Sequence, residues 1–98
     1  MQAEINTESS TDRRIEQIKA DTERCLKAIN WLVSEGFTPL EIIVQQERRA
    51  PTVRIALSTR CAWLKKEFIA YKHEITSTHV TWRCNVMGVR VQWIERGN

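Results

Sequence analysis

The strictest constraint in this sequence is an alternation of apolar and polar residues between His79 and Glu95. If Met87 and Gly88 form a two-residue turn, the alternation places the apolar side chains on one face of a β-hairpin. The apolar pairs are Val86 with Val89, Cys84 with Val91, and Trp82 with Trp93. The polar face pairs Asn85 with Arg90, Arg83 with Gln92, and Thr81 with Ile94. A shift of one residue would mix the two faces, so the register is strongly specified.

A long helix is predicted over residues 11–35, because apolar and small side chains recur there at spacings of three and four. The stripe comprises Ile15, Ile18, Thr22, Cys25, Ile29 and Leu32, and Leu26 and Val33 widen it. Gly36 suits the left-handed position after a last helical turn, and Pro39 prevents the helix from continuing. The first half of the helix is polar apart from two isoleucines. That half either projects from the core, pairs with a second copy of the chain or packs on its own sheet.

The middle of the chain carries strand signals followed by helix signals. Residues 40–47 are predicted to form a strand, residues 48–51 a turn and residues 52–57 the returning strand. In the returning strand, Val53, Ile55 and Leu57 alternate with more polar positions. Residues 60–74 are predicted to form a second helix. Its apolar face comprises Cys61, Leu64, Phe68 and Tyr71.

These elements predict an α+β fold with one domain over residues 10–98 and a disordered N-terminal tail over residues 1–9. The order α-β-β-α-β-β contains two hairpins, which we expect to form a four-stranded antiparallel sheet. Both helices then cover one face of that sheet, giving a two-layer sandwich. A chain of 98 residues buries about two-thirds of its unfolded surface, which is enough for one core.

Composition excludes several classes of protein. No apolar run approaches the roughly 18 residues of a membrane span, and the polar start MQAEINTESS is not typical of a secretory signal. We therefore expect no membrane association. The three cysteines are widely spaced and follow no metal-binding pattern, which predicts free thiols in a reducing cytoplasm.

The sequence also lacks the residue patterns of the common enzyme classes. Its three glycines form no phosphate-binding loop, and the GxSxG and HExxH patterns are absent. His73, His79 and Cys84 do not have the spacing of a metal site, and all three cysteines fall on predicted core faces. We therefore expect no enzyme activity, no cofactor and no metal.

A set of arginines is the strongest candidate for a binding surface. Residues 37–98 hold ten lysines and arginines against five acidic residues, so this part of the chain is basic. The candidate residues are Arg54, Arg83 and Arg90 on the outward face of the sheet, and Arg48 and Arg49 at the tip of the first hairpin. Arginine forks match the geometry of carboxylates and phosphates. These side chains either bind a partner or only keep the sheet soluble.

Two stretches, RAPTVRI at residues 49–55 and MGVRVQWIE at residues 87–95, resemble small accessory proteins encoded by bacteriophages and prophages. Such proteins have a long N-terminal helix that ends in glycine, an arginine-proline hairpin and a closing hairpin of the form Gly-x-x-Val-x-Trp. This chain departs from the pattern at Ala50, which separates arginine from proline. The resemblance implies a protein of the bacterial host cytoplasm that blocks a host protein, including defence complexes such as the CRISPR surveillance machinery.

We therefore expect a small non-enzymatic binding protein that docks on, and inhibits, a host protein or ribonucleoprotein complex. The alternative is a small basic module that binds nucleic acid or acts in regulation. Single-stranded nucleic acid is usually bound with exposed aromatic side chains, and the hairpin tryptophans of this chain point inward. A homodimer through the first helix is a further alternative.

Overall fold

The computed structural model of the protein describes residues 2–44 and 50–97. In this part of the chain, two helices and five strands follow one another: α1 (Gln2–Ser34), β1 (Pro39–Ile43), β2 (Thr52–Ile55), α2 (Cys61–Glu67), β3 (Tyr71–Ile75), β4 (His79–Val86) and β5 (Val89–Arg96). The strands form one open sheet in the order β1-β2-β5-β4-β3. Neighbouring strands are antiparallel except β2 and β5, which are parallel.

The predicted α+β class is confirmed, but the predicted four-stranded antiparallel sheet is wrong. The additional strand, β3, lies in the second half of the predicted second helix, because α2 ends after two turns at Glu67. The sheet is mixed because β2 lies parallel to β5, which brings Val53 opposite Val91 in the core. β2 ends at Ile55, so Leu57 lies beyond the strand and is exposed.

The β4–β5 hairpin confirms the predicted register. Every predicted pair is present, from Val86 opposite Val89 beside the turn to Thr81 opposite Ile94. Met87 and Gly88 have φ angles of 53° and 78°, so both turn residues are left-handed, as a type I′ turn requires. The apolar face of the hairpin is buried at Cys84, Val86, Val89, Val91 and Trp93.

The two outer strands of the sheet are short and irregular. The register of β1 against β2 shifts between Pro39 and Glu41. The register of β3 against β4 shifts between Lys72 and Glu74. Each shift is a bulge, which disrupts the regular spacing of hydrogen-bonding groups along a strand.

α1 begins at Gln2, nine residues before the predicted start, and ends at Ser34. Its backbone therefore continues through residues 2–9, where glutamine, alanine and glutamate are good helix formers. At the other end, Gly36 has a φ of 88° and the Phe37 N–H donates to the Leu32 carbonyl over 2.9 Å. This Schellman motif confirms the predicted glycine stop.

The face of α1 that packs on the sheet is rotated from the predicted stripe. The buried positions are Asp21, Cys25, Ala28 and Leu32. Thr22 is exposed, and Leu26 and Val33 are each 57% exposed, so the predicted widening of the buried stripe is wrong. Apolar side chains therefore occupy a wider arc of the α1 surface than the part that packs on the sheet.

Both helices lie on the same face of the sheet. α1 contacts β1, β2 and β5. α2 reaches the other half of the sheet, where Lys65 pairs with Glu95 of β5 and lies over the Trp82 ring of β4. Trp31 of α1 and Trp63 of α2 stack with their ring centroids 6.1 Å apart and join the two helices. The opposite face of the sheet has no helix over it in the described part of the chain.

The end of α2 is strained at Ile69. Its φ is 51°, a left-handed conformation that β-branched residues rarely adopt, and its side chain is 84% exposed. The conformation is imposed because the Ala70 N–H donates to the Lys65 carbonyl over 3.0 Å and closes the last turn. The reversal ends α2 and directs the chain into β3.

Leu32→Ala should lower the free energy of unfolding by about 3 kcal/mol, because it leaves a cavity where α1 meets the sheet. The matched control, Leu57→Ala, should cost less than about 1 kcal/mol because Leu57 is exposed. Urea denaturation of both variants measures the difference. Similar losses would contradict the placement of these two leucines.

Ile69→Gly should raise the free energy of unfolding by about 0.5–1 kcal/mol. Glycine removes a steric cost of about 1–2 kcal/mol, and part of this gain is offset by the greater freedom of glycine in the unfolded chain. Ile69→Val keeps the branched Cβ and should leave stability unchanged. Thermal and urea denaturation test this, and a destabilised glycine variant would refute the strain.

Candidate functional site

The sheet face turned away from both helices, here called the open face, carries a row of polar side chains across all five strands. The pairing places Glu41 opposite Arg54, Arg54 opposite Gln92, Gln92 opposite Arg83 and Arg83 opposite Tyr71. Directly opposed residues point to the same side of a sheet. One residue from each strand therefore contributes to a continuous line of charged, amide and phenol groups.

Two hydrogen bonds order this row. The Nε of Arg54 lies 3.0 Å from the Oε2 of Glu41 and forms an ion pair with it. The Nε of Arg83 donates to the Oε1 of Gln92 over 2.8 Å. The charge of Arg54 is thus compensated by a carboxylate. Arg83 is held by a neutral amide and keeps its full charge.

Arg90 adds a second positive charge beside the row. It lies opposite Asn85 of β4 and opposite Thr52 of β2, and its side chain is half-buried. Within residues 12–44 and 50–97, neither Arg83 nor Arg90 has a carboxylate within ion-pair distance. Their Cα atoms are diagonal neighbours on adjacent strands, a separation of about 7–8 Å. The centre of the open face is therefore positively charged.

The structure brings together three of the five arginines predicted as a binding surface. Arg54, Arg83 and Arg90 share the open face as the sequence predicts. Arg48 and Arg49 lie outside the described residues. Arg54 differs from the other two because Glu41 neutralises it.

Tyr71 is a member of the open face that the sequence places elsewhere. Its spacing from Leu64 and Phe68 predicts the core face of a helix, whereas Tyr71 begins β3 and is 46% exposed opposite Arg83. The signal for this position is the alternation in residues 71–75, YKHEI, which is compatible with a strand. The open face therefore has an exposed aromatic ring beside the Arg83 guanidinium, which is hydrogen-bonded to Gln92 and has no carboxylate partner among the described side chains.

The covered face of the sheet contains a separate charged network. The indole N–H of the fully buried Trp93 donates to the Oε2 of Glu95 over 2.9 Å. The Nζ of Lys65 lies 2.8 Å from the same oxygen and 4.2 Å from the centroid of the Trp82 ring. Burial raises the pKa of the Glu95 carboxyl, but the hydrogen bonds from Lys65 and Trp93 and the charge of Lys65 outweigh it and lower the pKa overall.

Two of the three core thiols, those of Cys25 and Cys84, are held in their protonated form. Burial, with a smaller effect of the nearby Cys61, raises the pKa of Cys84 to about 12. Burial, with a smaller effect of Asp21, also raises the pKa of Cys25. A protonated thiol is a poor nucleophile and a poor metal ligand. In the described part of the chain, no three His, Cys, Asp or Glu side chains cluster as a metal site requires.

Acidification should destabilise the protein through Glu95. Because the folded-state pKa is lowered, the carboxylate contributes stability above its ordinary pKa of 4.5, and this contribution is lost as the pH falls through the folded-state value. Glu95→Gln should therefore flatten the fall in unfolding free energy measured by urea denaturation below pH 4.5. The exposed Glu67→Gln is the matched control and should keep the wild-type slope. An unchanged slope in the Glu95 variant would contradict the network.

None of the helices in the described part of the chain combines the length and apolarity needed to cross a bilayer. No family model, curated protein or solved structure matches this chain. The open face itself, with its tyrosine and two arginines that pair with no carboxylate within residues 12–44 and 50–97, is therefore the basis for a functional conclusion.

Proposed function

We propose that this chain is a non-enzymatic binding protein that docks its open face on an acidic surface of a protein or ribonucleoprotein complex. The observation that carries the proposal is the placement of Arg83, Arg90 and Tyr71 on a sheet face that neither described helix covers. Arginine and tyrosine are enriched at the centres of protein interfaces, where they supply much of the binding energy.

The geometry of Arg83 suits the recognition of a carboxylate. Its Nε is engaged by Gln92, which fixes the plane of the guanidinium group. The two terminal nitrogens can then donate side by side to one carboxylate, the strongest form of this contact. A group fixed before binding loses less entropy when the complex forms. Gln92 is thus a positioning residue for Arg83.

The resemblance to bacteriophage accessory proteins indicates which complexes to consider as partners. In this proposal, the partner is a host complex, including a defence complex of the CRISPR type, with an acidic surface that this chain obstructs. In this proposal, the partner is inhibited because docking blocks access to its own ligand. No chemical step on the partner is required.

Binding to nucleic acid is the second candidate, and Tyr71 is the observation that favours it. A base can stack on the exposed ring while Arg83 contacts a phosphate. One feature of the open face opposes this candidate, because Tyr71 offers a single stacking platform rather than a series.

The test is a charge reversal on the open face. Affinity capture from a bacterial lysate, with and without nuclease, identifies partners of the wild-type chain by mass spectrometry. Arg83→Glu with Arg90→Glu should weaken binding of the purified partner at least about tenfold, since two lost charged contacts cost more than about 1.4 kcal/mol. The matched control, Lys27→Glu with Lys66→Glu, changes the charge equally at exposed positions of the two helices and should bind as wild type.

The same experiment separates the two candidates. A partner retained after nuclease treatment and lost in the open-face variant supports protein docking. Retention that depends on intact nucleic acid would favour the second candidate. In that case, the logarithm of the association constant should fall linearly with the logarithm of the salt concentration, with a slope of about −1 for each phosphate contacted. Equal binding by the open-face variant and the control would refute both uses of this face.

A further inference from the structure

α1 carries a second apolar stripe that its own sheet does not cover. The stripe comprises Ile15, Ile18, Thr22, Leu26, Ile29 and Val33. All are exposed except Ile29, which is half-buried. From Ile15 to Val33 the steps average the 3.6 residues of a helical turn, so the stripe runs straight along the helix for about 27 Å.

The stripe faces the β1 edge of the sheet. Trp31, on the far side of the helix from the stripe, stacks on Trp63 of α2. Because α2 lies over β4 and β5, the stripe is turned towards β1, which α1 also contacts. The exposed apolar residues of this edge are Leu40, Ile42 and Val44. Ile42 pairs with Val53, so its side chain points to the helix side of the sheet.

We call the stripe and the adjoining exposed residues Leu40, Ile42 and Val44 the apolar flank. It is about 27 Å long and about 15–20 Å wide, the width of a helix and an adjoining strand. Its area is therefore roughly 400–550 Å², at the upper end of the apolar patches that single soluble proteins expose. Apolar patches of this size are often functional.

We propose that the apolar flank is covered by a second copy of this chain, in an antiparallel pair of α1 helices related by a two-fold axis near Arg24. The spacing of the stripe is close to a palindrome about this residue. It places Ile15 opposite Val33 of the second copy, Thr22 opposite Leu26, and Ile18 beside Ile29. A two-fold interface requires one surface to complement itself in this way.

The length of α1 supports the same occupant. The helix passes the sheet near Gly88, which lies beside the Arg24 side chain, and residues 12–19 beyond it are all exposed. An isolated helix of this composition is marginally stable without tertiary packing. The antiparallel pair lays this projecting half along the stripe and the β1 edge of the second copy. The added contact brings the buried area per copy towards the roughly 800 Å² of a standard interface.

This interface is separate from the open face. The apolar flank lies on the helix side of the sheet, whereas Arg83 and Arg90 point away from the helices. A dimer would present two open faces to a partner. The variant with Arg83→Glu and Arg90→Glu should therefore remain dimeric. If the open face binds no partner, the proposed dimer is unaffected.

Sedimentation velocity of the full chain between 5 and about 200 µM tests the dimer, a range that spans the micromolar affinities of modest interfaces. The wild type should sediment as a dimer at the upper concentrations. The double variant Ile18→Asp, Leu26→Asp should raise the dissociation constant of the dimer at least about tenfold, while its circular dichroism spectrum stays unchanged. The matched control, Ile75→Asp with Ile94→Asp, alters exposed residues of β3 and β5 and should dimerise as wild type. A monomeric wild type, or a flank variant that dimerises normally, would overturn the proposal.

Cysteine cross-linking tests the orientation of the pair. A mixture of Thr22→Cys and Leu26→Cys chains should form a disulfide between the two variants under mild oxidation, because these positions are opposite each other. Thr22→Cys alone should not cross-link, since its two copies are offset by about 6 Å along the helices. The native cysteines are buried and serve as an internal control in the wild type. Cross-linking of Thr22→Cys with itself would indicate a parallel pair and overturn the antiparallel arrangement.

Discussion

The complete burial of the Trp93 indole is the constraint on which the arrangement of the layers depends. A buried N–H needs an acceptor, and the acceptor is Glu95, two residues along the same strand. A carboxylate near the core needs a compensating charge, which only a neighbouring element can supply. Lys65 provides it from α2 and rests on Trp82. One large aromatic side chain thus positions the short second helix over β4 and β5.

The covering of the sheet by both helices on one side gives the molecule two different surfaces. The helix side holds the core and the pairing of Trp31 with Trp63. The other side holds side chains that are ordered by cross-strand hydrogen bonds alone, such as Arg83 with Gln92. The order of these side chains therefore comes from hydrogen bonds between neighbouring strands rather than from packing against a core. A polar face with this support keeps its shape without a core of its own.

The sequence predicts those parts of the fold in which the preferences of neighbouring residues and the packing of the core favour the same structure. The β4–β5 register follows from the sequence because any slip would expose Trp93, and the end of α1 follows because Gly36 is left-handed. The predicted second helix is too long because Leu64, Phe68 and Tyr71 have helical spacing. The chain reverses at Ile69, where no glycine marks the end of the helix in the sequence.

Contacts between distant segments account for the remaining differences. The parallel contact between β2 and β5 joins residues far apart in the chain, and neither strand encodes its neighbour. The sequence also does not determine which face of α1 is buried. Two apolar stripes overlap on this helix, and packing against the sheet determines which of them is covered. Of the candidate site, Arg54, Arg83 and Arg90 could be placed from the hairpin registers. The position of Tyr71 could not be predicted, because its spacing from Leu64 and Phe68 indicates a helix rather than a strand.

The irregular outer strands have a consequence for how this molecule can associate. A straight edge strand offers unpaired N–H and C=O groups as a template for strand addition, which leads to aggregation. Here both edges are interrupted by bulges, Pro39 cannot donate at the start of β1, and Lys72 and Glu74 place charges along β3. Growth of the sheet into a fibril is therefore disfavoured even though neither described helix covers its open face. The surfaces that remain for recognition are broad ones, made of side chains rather than of backbone.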